Sequence, residues 1–192
     1  MFLQLPLVLL GGLAAGFAAG TLWPAAGPSS ASMGMDPVAV AAQGIGPLRL
    51  GDGYPAATAA VRRVAPDSAF AGVGCNGLDE VRYSAHRGES PVSVMAMAEG
   101  GTLVEIELML DAPNRVADEA ACLALREDFA RPFLDRFGAA GDSWTVTKPV
   151  STEHRQRVGP VVLEARWFPM GRSCYVSARY GAARTVATIP GR

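Results

Sequence analysis

Apolar and polar side chains alternate along PVSVMAMA and LVEIELML, two runs joined by Glu99-Gly100-Gly101-Thr102. Period two marks half-buried strands, and a Gly-Gly pair readily adopts the positive φ angles of a tight hairpin turn. The two runs therefore predict a hairpin with Val104, Ile106, Leu108 and Leu110 on one face and Glu105 and Glu107 on the solvated one. DEVRYSAHR precedes them as a further strand. Upstream, GIGPLRLG reads as a short extended segment; Asp52 suits an N-cap and Pro55 a first turn, so a helix is expected over 56–64, stopped by Pro66.

The pattern then changes to the helical period over 113–137, with Gly138 closing the helix and Pro132 ending or bending its first part. Stepping about 100° per residue from Cys122 places Leu125, Phe129 and Phe133 within about 60° of it, and Val116, Leu123, Leu134 and Phe137 at the edge of that arc. After GAAGDS come WTVTK, GPVVLEARWF and SCYVSARYG, the last two forming a hairpin that turns at 169–172. Val161, Leu163, Ala165 and Trp167 share one face, as do Cys174, Val176, Ala178 and Tyr180. Helix followed by about three antiparallel strands thus occurs twice, which predicts an α+β fold with the helices packed on one face of the sheet. The expected domain is 44–181, with halves 44–111 and 112–181, and 182–192 is a tail.

Residues 1–23 carry no charge and form an apolar run near the ~20 residues that cross a bilayer as a helix. They read as an export segment, either a cleaved signal peptide or an uncleaved membrane anchor. Residues 24–43, rich in Ala, Pro, Ser and Gly, read as a flexible spacer. The expected location is therefore the periplasm, with the domain secreted or tethered to the inner membrane through residues 2–23. The formal charge of −1 argues against nucleic-acid binding. It hides an asymmetry, since five Arg oppose ten acids up to Asp111, whereas eleven Arg and Lys148 oppose eight acids beyond it.

The motif G-x-G-P-x-R-x-G over residues 44–51, followed by a short Ala-rich helix on an exported chain with helix-then-meander order, resembles small bacterial periplasmic proteins. The layout is similar to BamE/SmpA-like domains and to the tandem-repeat β-lactamase inhibitor proteins. Asp52-Gly53 stands where those families commonly have a Met and a hydroxyl residue, and no lipoprotein Cys follows the apolar segment. The resemblance implies a binding or assembly module rather than an active site.

Three cysteines in an exported chain point to one disulfide and one free thiol. Cys122 and Cys174 both lie on apolar faces that meet if the second helix crosses the last strands, so this pair is favoured and Cys75 is left free. Pairings of Cys75 with either partner remain open. Cys75, Asp79 or Glu80, and His86 supply the residue types of a thiol nucleophile, although no G-x-S-x-G, H-E-x-x-H or paired C-x-x-C is present. No metal or cofactor spacing is found. Residues 148–160 read as a polar loop gathering Lys148, His154, Arg155 and Arg157; with Arg166, Tyr175 and Arg179 on the outer sheet face, these are the candidate partner-binding residues. The expected function is a non-catalytic domain that binds an envelope protein or an anionic envelope component. The alternatives are an inhibitor of a periplasmic hydrolase that uses an exposed loop at 151–157, and a thiol enzyme centred on Cys75.

Overall fold

A computed structural model describes residues 35–181, except residue 112. Three short strands, β1 (Val40–Ala41), β2 (Gly44–Ile45) and β3 (Leu48–Arg49), form a small antiparallel sheet. Helix α1 (Tyr54–Val64) precedes the meander β4 (Phe70–Val73), β5 (Asp79–Arg87), β6 (Ser90–Glu99) and β7 (Thr102–Leu110). The two-residue strand β8 (Asn114–Arg115) leads to α2 (Glu119–Phe137). A second meander follows: β9 (Ser143–Lys148), β10 (Ser151–Val158), β11 (Val161–Phe168) and β12 (Ser173–Tyr180). The large sheet runs β4-β5-β6-β7-β12-β11-β10-β9, and β8 pairs with β12. The strand pairings are antiparallel, and the two meanders join through their last strands.

Each helix is thus followed by four strands rather than three. The extra strand in the second half is β10, which occupies the segment expected to be a polar loop over 148–160. The folded part also begins earlier than Gly44. Val38 and Val40, assigned to the spacer, pack against the core, and the Tyr180 hydroxyl donates to the Ala41 carbonyl at 2.9 Å.

Register carries one face through the whole sheet. Tyr83 faces Val94, Val94 faces Leu108, Leu108 faces Ala178, and Ala178 faces Leu163. All five are buried, together with Val176 and Cys174, two and four positions from Ala178 on the same face of β12. Helix α1 covers this face over β5 with Ala57 and Val61 buried, and α2 covers it over β10–β12 with Cys122, Phe129 and Phe133 buried. The Glu99–Thr102 turn forms as expected, with φ of 59° at Gly100 and 78° at Gly101. One residue later a register shift at Met97/Ala98 lets Leu103 pair with Ala98 and become buried, so the alternation expected from Val104 starts one position early and resumes at Ile106. Beyond the shift, Glu105 and Glu107 lie on the outer face as predicted, but Glu107 is buried against Arg179 there rather than solvated.

Helix ends differ from the sequence pattern for local reasons. Asp52 does not cap α1, because its carboxylate accepts from the Arg49 amide at 3.1 Å and Gly53 takes the cap position. Helix α2 starts at Glu119 rather than 113, with the Asp118 side chain accepting from the Ala121 amide at 2.9 Å. Pro132 does not end it. Proline has no N–H, so the carbonyl four residues back loses its helical partner. Arg87, at the end of β5, supplies the donor: its guanidinium reaches the Asp128 carbonyl at 3.0 Å and the Phe129 carbonyl at 2.8 Å, and stacks over the Phe129 ring.

This pairing gives the first prediction. Arg87→Met should lower stability by about 1–3 kcal/mol, because it leaves a carbonyl without its donor. Pro132→Ala restores a backbone N–H, so the Arg87→Met cost should shrink markedly in that background; urea unfolding of the four proteins measures it, and additive losses would refute the link.

Cys122 and Cys174 are disulfide-bonded, with Cα atoms 5.5 Å apart, as favoured from their faces, and Cys75 is free and exposed. No helix among the described residues is long and apolar enough to cross a membrane. The apolar segment 1–23, most of the spacer and the tail lie outside the described residues.

Candidate functional site

Six of the seven residues proposed for partner binding are basic, and they divide into compensated and uncompensated groups once β10 is a strand. On the outer face of the sheet Glu153, fully buried, receives Lys148 at 2.5 Å, Arg155 at 2.7 Å and Arg166 at 3.0 Å. Glu164 receives Arg155 at 2.8 Å and Arg166 at 2.7 Å. Arg179 is held by Glu107 at 2.9 Å and Glu105 at 3.2 Å. Tyr175 lies opposite Arg166 in register and packs edge-on against Phe168. Arg157, half-buried on the same face, has an Nε without a partner.

His154 is on the other face, under α2. Its Nδ1 is 3.1 Å from Thr145 Oγ1 on β9, and its Nε2 is 2.5 Å from Glu119 in the first turn of α2. These contacts tie the β9–β10 hairpin to the start of α2. Next to them a cleft of about 370 Å³ opens between α2 and the hairpin. Ser143, Thr145, His154 and Gln156 form its floor, with Thr145 opposite His154 and Ser143 opposite Gln156, and Leu123 and Arg126 project from the helix.

Arg126 is the unusual member. It is only 9% exposed, its Nε is buried without a hydrogen-bond partner, and no carboxylate among the described residues pairs with it. Burial pushes its guanidinium pKa down, against a smaller opposing pull from Glu127. A buried guanidinium without a counter-ion is costly, and a ligand anion would remove that cost. Arg126 was not among the sequence candidates, yet the signal was present: at about 100° per residue it lies about 40° from Cys122, inside the apolar arc of α2. A lone cation inside an otherwise apolar arc is the feature that finds it.

The other constellation does not assemble. Cys75 lies before β5, whereas His86 is at the far end of that nine-residue strand, so the strand holds thiol and imidazole roughly 20 Å or more apart. The segment 151–157, expected as an exposed inhibitory loop, is an interior strand with a neighbour on each side. Among the described residues no group of three or more His, Cys, Asp or Glu is placed to hold a metal.

Among the described residues, fold and site define a class: a mixed α+β domain with a largely antiparallel sheet, two helices, one disulfide and a polar cleft at one end. No family model, curated protein or solved structure matches the chain.

Proposed function

We propose that this chain is an exported or membrane-tethered binding domain whose ligand places an anionic group in the α2/β9–β10 cleft. The observation that carries this reading is Arg126, a buried arginine whose Nε has no hydrogen-bond partner among the described residues, beside hydroxyl, amide and imidazole groups. The cations of the outer face support it by contrast, since Lys148, Arg155, Arg166 and Arg179 are engaged by carboxylates of the same fold. The partner is an envelope protein or an anionic envelope component, and the apolar segment with its spacer gives the domain reach from a membrane. The resemblance of residues 44–51 to small periplasmic modules points the same way.

The test is a titration of the isotope-labelled protein with N-acetylglutamate and with inorganic phosphate, following the Arg126 Nε–Hε resonance. That signal should shift and saturate with at least one anion, and the same anion should lose affinity by about tenfold or more for Arg126→Gln, the scale of one charged hydrogen bond. Anion binding that leaves Arg126 unmoved, or no binding by either anion, would end this reading.

A further inference from the structure

We infer that strand β9 accepts an extended strand from an acidic partner protein, with a carboxylate of that strand entering the cleft at Arg126. The inference rests on the anion reading above and adds the form of the ligand. Sheet edges expose unpaired N–H and C=O groups, and proteins usually guard them with short strands, charges, proline or bulges. The two edges of this sheet differ. Strand β4 has four residues, contains Gly72, and carries Phe70 beneath the Arg82 guanidinium at 4.4 Å from the ring centroid. Strand β9 has six residues, SWTVTK, with one charge at its end, no proline inside it and unbroken register with β10.

Among the described residues only β10 pairs with β9, and they leave the other side of β9 open for a strand to add. Thr145 and Ser143 of β9 line the cleft that Arg126 enters. A strand laid about 4.8 Å further out sends alternate side chains to the α2 side, at the mouth of the same cleft. An acidic side chain there meets Arg126, and the main chain meets the free edge. Charge decides against a second copy of this chain as the occupant, because β9 contributes Lys148 and no carboxylate. Pairing β9 with itself would supply no carboxylate and leave Arg126 as it is.

The experiment uses the full-length protein in mild non-ionic detergent and a synthetic peptide, acetyl-Thr-Val-Thr-Glu-Thr-Val-Thr-amide, with a twin carrying Gln for Glu. The Glu peptide should protect the β9 amides from hydrogen exchange and shift the Arg126 Nε–Hε signal, and the Gln twin should bind about tenfold or more weakly. A shift at Arg126 without protection of β9 would overturn strand addition while leaving the anion site in place. Response at neither position would remove both. Equal binding of the two peptides would remove the acidic requirement, and protection of β9 on raising protein concentration alone would make a second copy the occupant.

Discussion

Replacing Cys122 and Cys174 together by Ala should lower the unfolding free energy by about 4 kcal/mol, the chain-entropy value for a loop of about 50 residues. The bond joins residues 52 positions apart and ties α2 to β12, the strand through which the two meanders meet. Domains of this kind are stable by roughly 5–15 kcal/mol, so the loss takes a large share of the total. Urea unfolding of the double variant checks it, and a loss below about 1 kcal/mol would contradict the expectation. Cys75, exposed and unpaired, should react with a thiol reagent in the folded protein without changing stability.

The second large effect belongs to Glu153. Glu153→Gln should cost about 3–5 kcal/mol, since it removes the negative charge shared by three cations at a fully buried site. Desolvation pushes the Glu153 carboxyl up, but the hydrogen bond from Lys148 and the charges of Arg166, Arg155 and Lys148 together pull it below its ordinary value. A carboxyl with a depressed folded pKa contributes stability that is complete above the unfolded value of about 4.3. That contribution is lost as the pH falls through this range toward the lower folded value. Stability measured against pH should therefore drop more steeply on the acid side in the wild type than in Glu153→Gln. Parallel curves would show that Glu153 does not carry this dependence.

These residues also explain which parts of the fold the sequence reveals. Strands β5, β6, β7, β11 and β12 each bury one apolar row, so period two is visible in the residues themselves. The pairing of Arg166 with Tyr175 and of Glu164 with Ser177 follows directly from the turn position at 169–172. Strand β10 hides because neither face of STEHRQ is apolar. One face holds Glu153 and Arg155, neutralised by Lys148, Arg166 and Glu164, while the other holds His154, anchored by Thr145 and Glu119. A strand stabilised by cross-strand charge pairs has no hydrophobic period to read. The same blind spot applied to the site. Basic residues counted along the chain suggested a binding surface, but burial and pairing leave Arg126 as the cation in the cleft without a counter-charge.

That difference separates a functional arginine from a structural one. Met matches the length of the Arg126 stem and needs no counter-ion, so Arg126→Met should retain the packing of α2 and remove the unpaired charge. The most direct measurement is the urea midpoint of Arg126→Met against wild type in buffer with minimal salt. The account predicts that the variant unfolds at higher urea, with a gain of about 1 kcal/mol or more, and no longer responds to anions. A variant destabilised by a similar amount would mean that Arg126 supports the fold, and the cleft would then not be an anion site.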